Sequence, residues 1–138
     1  MKRTQTGFTM IELIVVIVIL GILAATALPK FLDLRSEASE AALEGVAGSL
    51  GSAMSINYAG CSAVNHDPAS SKCEAVSNCQ DGHKLLQGAT PTATAGQFTL
   101  GNNTYDITTD TLARSETKTC VVAQGTNTAN FQGVGAGN

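Results

Sequence analysis

Residues 8–28 form an apolar run of 21 residues that holds a single charge, Glu12. As a helix rising about 1.5 Å per residue, such a run spans about 30 Å, the thickness of a bilayer's hydrocarbon core. This sets the first constraint on the fold, because the run is read as a membrane-spanning helix. Lys2 and Arg3 lie just before it, and the positive-inside tendency places residues 1–7 in the cytoplasm and the remainder outside. A secretory signal removed after the small residues Ala24-Ala25-Thr26-Ala27 would account for the basic start. It leaves Glu12 unexplained, since a carboxylate at full depth in a membrane costs about 2.5–3.5 kcal/mol. A costly carboxylate points to a role.

A chain of 138 residues has room for one compact domain beside that helix. Its hydrophobic content is 43%, yet aromatics are 4% and Trp is absent, so the apolar residues concentrate at the N-terminus rather than in a large aromatic core. After Pro29, residues 30–58 continue with helical spacing. Phe31, Leu34, Ala38, Ala41, Ala42, Val46, Leu50, Ala53 and Met54 mark the expected apolar stripe, and Lys30, Asp33, Arg35, Glu37, Glu40 and Glu44 fill the other positions. This amphipathic half should pack on a globular head. Gly21 and Pro29 are expected points of bending or local unwinding, since Pro removes a backbone donor and Gly weakens the helix.

Tyr58-Ala59-Gly60 reads as the helix end, and residues 61–95 read as a loop-rich connection. Strands are expected at residues 97–100, 104–108 and 118–124, with a hairpin turn at Gly101-Asn102-Asn103. The expected fold is therefore α+β: a long N-terminal helix packed on a small antiparallel sheet of three to four strands. The tail, residues 126–138, is read either as poorly ordered or as a final edge. The domain reading is a segment 1–7, a helix 8–58 with residues 8–28 in the membrane, and a head 59–138.

Cys61, Cys73, Cys79 and Cys120 all follow the apolar run and are even in number, as expected for disulfides in an oxidising compartment. Three connectivities are open, and Cys61 with Cys73 plus Cys79 with Cys120 is the one preferred. A zinc cluster of Cys61, His66, Cys73, Cys79 and His83 is disfavoured, because no paired CxxC occurs. No spacing of Ser, Cys, His and acidic residues selects a catalytic triad, so no catalytic or metal residue is assigned, no cofactor is expected, and an enzyme is not expected. Asn102-Asn103-Thr104 fits a glycosylation acceptor, but turn formation is the preferred reading. Glu37, Glu40 and Glu44 read as a solvated helix face.

The string Gly7-Phe8-Thr9-Met10-Ile11-Glu12-Leu13, with the apolar run and Gly21-Ile22-Leu23-Ala24-Ala25 behind it, closely resembles the leader junction of type IV pilins and of type II secretion pseudopilins. The resemblance covers about the first 55 residues. It implies the type IV pilin fold, cleavage by a prepilin peptidase between Gly7 and Phe8, and N-methylation of Phe8. It also implies that Glu12, one helical turn away, pairs with the Phe8 amine of a neighbouring subunit, and that residues 21–29 stretch or melt as helices pack in the filament. The string Leu28-Pro29-Lys30-Phe31-Leu32-Asp33-Leu34 further resembles pilins of the mannose-sensitive haemagglutinin class.

What this implies is a homopolymer that serves adhesion, attachment or motility. The expected partners are the peptidase, an inner-membrane assembly platform and an outer-membrane secretin. The chain would sit in the inner membrane before assembly and in an extracellular pilus after it. A secretion pseudopilin is the alternative, weighed down by four cysteines and the lack of an Asp-rich loop of the kind its common major form uses for calcium. A DNA-uptake pilin should carry a basic strip, whereas the head has only Lys72, Lys84, Arg114 and Lys118, and the net charge of −3 makes nucleic acid an unexpected partner.

Overall fold

The computed structural model describes residues 7–138, the side chain of Leu32 excepted. The leader residues 1–6, with Lys2 and Arg3, lie outside the described residues. The chain divides into two compact units, one ending at Ala38 and one of Ser39–Asn138. Helix α1, Met10–Ala63, contributes to both.

Within the second unit, α1 presents Leu43, Ala47, Leu50 and Met54 to the core, at successive spacings of four, three and four. This corrects the expected stripe. Leu50 and Met54 are buried, but Ala41 and Ala42 are exposed there, and Phe31, Leu34 and Ala38 are exposed in the first unit. Ala41, Ala42 and Ala53 cluster within about 120° of one another around the helix, on a face turned away from the one formed by Leu43, Ala47 and Met54, so a stripe built on the alanines misses the buried azimuth that Leu43 helps to set. Full burial of Leu43, Leu50, Met54 and Phe98 contributes about 1.5–3 kcal/mol each.

The helix also runs past its expected stop. Asn65 and His66 both adopt left-handed backbone, φ 54° and 58°. The His66 N–H donates to the Cys61 carbonyl at 2.7 Å, and the Asn65 N–H to the Ser62 carbonyl at 3.4 Å. This closing pattern satisfies carbonyls that the last turn leaves free. Gly60 lies inside α1 for a different reason: a Cβ there would run into the Lys72 carbonyl, so its bare backbone lets the loop after the helix fold back closely.

Five strands follow, not three to four: β1 Ala89–Pro91, β2 Gln97–Leu100, β3 Asn103–Ile107, β4 Thr117–Gln124 and β5 Asn127–Val134. They form one antiparallel sheet in the order β1-β2-β3-β4-β5. β1, a three-residue edge ending in proline, lies outside the expected strands, whereas β5, the polar segment Asn-Thr-Ala-Asn-Phe-Gln-Gly-Val with little strand propensity of its own, is the tail in its reading as a final edge. β5 forms because Gly125, at φ 61°, opens a two-residue turn that pairs Gln124 with Asn127 and the eight-residue β4 with β5 along its full length. Gly101, at φ 62°, does the same between β2 and β3.

The tail is an ordered part of the head. Ala136 pairs with Val76, exchanging hydrogen bonds of 2.7 and 3.1 Å, and Gly135, Ala136 and Gly137 are buried. The core joins α1 to the inward face of the sheet through Phe98, Tyr105, Ile107, Val122 and Phe131.

Candidate functional site

Gly7, Phe8 and Thr9 precede α1 and are exposed. Thr9 caps the helix: its N–H and hydroxyl donate to Glu12 Oε2 at 2.8 and 2.7 Å, and the Glu12 N–H donates back to Thr9 Oγ1 at 3.3 Å. This is a capping box, in which a hydroxyl residue and a glutamate three positions on satisfy each other's backbone donors. Its signature, Thr-x-x-Glu before an apolar run, is legible in the sequence, and it gives Glu12 an intrachain role, the alternative to pairing with a neighbouring subunit. The carboxylate therefore has local partners in the single chain.

Beyond the cap, the large apolar side chains of Met10, Ile11, Leu13 and the residues up to Leu28 are exposed on α1. It is one helix long and apolar enough to cross a membrane by length and composition. α1 stays helical through Gly21 and Pro29. Pro29 leaves the Ala25 carbonyl without its usual donor. One turn earlier, the Thr26 hydroxyl donates to the carbonyls of Ile22 and Leu23, at 3.3 and 3.1 Å. Nothing stands within 4 Å of where a Gly21 Cβ would be.

In the head, all four cysteines are consumed in two disulfides, Cys61–Cys73 and Cys79–Cys120. No thiolate remains for the zinc arrangement, and the two histidines serve separate places. The His83 Nδ1 engages the Gln80 carbonyl and its ring stacks on Phe98, whereas His66 lies by Tyr58. Cys79–Cys120 ties the 3-10 helix Cys79–Leu85 to β4 within the main core. Cys61–Cys73 packs with Ala136 in a second, smaller cluster.

The 3-10 helix is anchored by a buried carboxylate. Asp81 Oδ2 accepts from the N–H groups of Ser77 and Asn78 at 2.9 and 3.1 Å, and Oδ1 accepts from Lys84 Nζ at 2.6 Å. The Asp81 N–H in turn donates to the Asn78 side chain, a second capping box. Burial alone would raise the Asp81 carboxyl, but Lys84 and the two backbone donors outweigh it and hold it below the usual carboxylate range. Asn102 sits in the exposed two-residue turn between β2 and β3.

Residues 2–28 match the prokaryotic N-terminal methylation motif. Over its N-terminal stretch the chain is similar to type IV pilins. It is 50% identical over 50 residues to the type IV narrow pilus major component PilA5 of Thermus thermophilus, a stretch covering 36% of this chain and 43% of that protein. It is 58% identical over 43 residues to the fimbrial protein EcpC of Eikenella corrodens, covering 30% of this chain and 28% of the other. To the type IV major pilin protein PilE1 of Neisseria gonorrhoeae it is 56% identical over 45 residues, 31% of this chain and 27% of the relative. The chain thus spans less than half the length of each of these relatives. No solved structure matches it. A long N-terminal helix packed on an antiparallel sheet agrees with the pilin fold.

Proposed function

We propose that this chain is the subunit of a type IV pilus filament, polymerised through α1. The observation that carries the reading is the junction Gly7-Phe8-Thr9-Met10-Ile11-Glu12, matched to the methylation motif at the head of an exposed apolar helix. A prepilin peptidase cuts between Gly7 and Phe8 on the cytoplasmic face, and the new amine of Phe8 is methylated. Before assembly the chain is held in the inner membrane by residues 8–28, with its head, residues 59–138, outside.

An amine on Phe8 at the membrane boundary needs a negative partner, and Glu12 of a neighbouring copy supplies it. In doing so the neighbour must share or exchange the Thr9 donors that hold that carboxylate in the single chain. Gly21 and Pro29 bound the stretch that gives way when helices pack, since the backbone there already lacks one hydrogen bond. The assembly platform and secretin handle the subunit as cargo, and the filament serves adhesion, attachment or motility. The chain works as a structural polymer, with no chemistry of its own.

The test is mass spectrometry of protein sheared from the cell surface. A chain beginning with N-methylated Phe8 in the sheared filaments supports the reading. Methylated Phe8 on protein that stays in the envelope would replace it with a secretion pseudopilin, and cleavage near Ala27 would remove both.

A further inference from the structure

We infer that His66 is an acid-sensitive latch that fastens the C-terminal segment, residues 135–138, to the end of α1. The two histidines of this chain are held in opposite ways. His83 Nδ1 faces the Gln80 carbonyl, an acceptor, so that nitrogen carries the proton. A second proton on His83 leaves the bond in place. His66 Nδ1 faces the Gly137 N–H at 3.3 Å, which can only donate, so that nitrogen must be bare. The single proton of His66 then sits on Nε2, 3.5 Å from Ser62 Oγ. When the imidazole gains its second proton, Nδ1–H meets N–H, and the bond is lost by the chemistry of its partners alone.

The backbone supports this assignment. His66 is one of three non-glycine residues at positive φ among the described residues, an unusual conformation that must be held by its surroundings. It carries the imidazole to Tyr58 of α1, with ring centroids 5.4 Å apart, and to Gly137. Gly137 packs closely against the Cys73 and Glu74 region, where a Cβ would meet Cys73 Sγ at 3.0 Å and the Glu74 carbonyl at 3.2 Å. The charged groups around the latch are few. Asp67, next in the chain, turns its carboxylate to the Ala69 N–H, and Arg114 Nε donates to the Asn138 carbonyl at 2.6 Å. Tyr58, on α1, donates its hydroxyl to Ser115 Oγ at 3.2 Å. Glu74 lies on the segment beside Gly137. None of these supplies an alternative acceptor to the Gly137 N–H, which depends on the imidazole.

The experiment is amide hydrogen exchange followed by NMR on the full chain in detergent micelles, with the ring protons of His66 and His83 titrated in the same samples. As His66 titrates, the protection of the Gly137 amide, corrected for intrinsic exchange, should fall by about five- to tenfold, the loss of one ordinary hydrogen bond. The Leu86 amide, which donates to the His83 carbonyl, should not follow the titration of His83. In His66→Asn, whose Oδ1 stands where Nδ1 does and accepts without titrating, and which tolerates the positive φ, protection of Gly137 should become independent of pH over the same range. Gly137 protection that stays constant while the His66 ring titrates in the unmodified chain would overturn the proposal, whether or not the variant folds.

Discussion

Replacing Cys79 and Cys120 together by alanine tests how the head is held. This bridge closes a sequence separation of 41 and the Cys61–Cys73 bridge one of 12. Loop-closure entropy of the unfolded chain then gives about 4 kcal/mol for the long bridge and about 3 kcal/mol for the short one. Both pairs of sulfurs are buried, so the packing lost with them is similar, and alanine avoids placing a hydroxyl in the core. A domain of the size of residues 39–138 has about 5–15 kcal/mol in total. Losing about 4 kcal/mol should lower its melting temperature by roughly 15–30 °C. Thermal unfolding of the detergent-solubilised chain, with protease digestion of the head at intermediate temperatures, reads this directly. The Cys61→Ala/Cys73→Ala chain should melt between the double variant and the unmodified protein. A Cys79→Ala/Cys120→Ala head as protease-resistant as the original, or a larger loss from the shorter bridge, would refute the reasoning from loop length.

Asp81→Asn should cost about 1–3 kcal/mol at neutral pH, because one carboxamide oxygen cannot replace two carboxylate oxygens that accept from Ser77, Asn78 and Lys84. The folded head favours the charged form of Asp81, so that stabilisation is complete above the ordinary carboxylate pKa of about 4 and is lost as pH falls through the lower folded value. Denaturant melts from pH 7 to pH 2 should converge for the two proteins at the acid end, and parallel curves would show that the charge contributes nothing. Gly133→Ala should destabilise the head by about 1–3 kcal/mol, because its Cβ would collide with Cys120 Sγ and lie 3.3 Å from Leu112. Gly48→Ala, with nothing within 4 Å, should be neutral or stabilising in the same melts, and equal effects would count against the packing described for β5. Glu12→Gln keeps the capping partner of Thr9 but removes the charge, so the chain should still be processed while the yield of sheared filaments collapses. Normal filament yield would show that the cap, not a pairing with the Phe8 amine, is what Glu12 provides.

The acid-sensitive latch and the disulfides bear on different parts of the same head. Cys79–Cys120 and the Asp81 network hold the main core, whereas Cys61–Cys73, His66 and Ala136 secure the place where the end of α1 meets the C-terminal segment. Protonation of His66 should loosen the second without the first, which the Cys79–Cys120 bridge and the Asp81 network hold.

Sequence alone determined what depends on local chemistry: the apolar run of residues 8–28, the Gly7-Phe8 junction with Glu12 behind it, the even cysteine count, and strands wherever Thr, Val, Ile, Phe and Tyr cluster, as in β2, β3 and β4. The capping box of Thr9 and Glu12 was equally local and equally legible, since its signature needs only four consecutive residues. Tertiary structure decided the rest. The buried face of α1 was misplaced because Ala41, Ala42 and Ala53 mark a face of small apolar residues turned away from the one that packs; the choice is made by which side chains fill the space over the sheet, and Leu43, Ala47, Leu50 and Met54 do. β5 and the buried tail have little propensity of their own, and they are ordered by partners distant in sequence: β4 across a glycine turn, and Val76 against Ala136. Gly60 and Gly133 look like breakers in the sequence, yet each is required by the close approach of a residue that only the folded chain brings near.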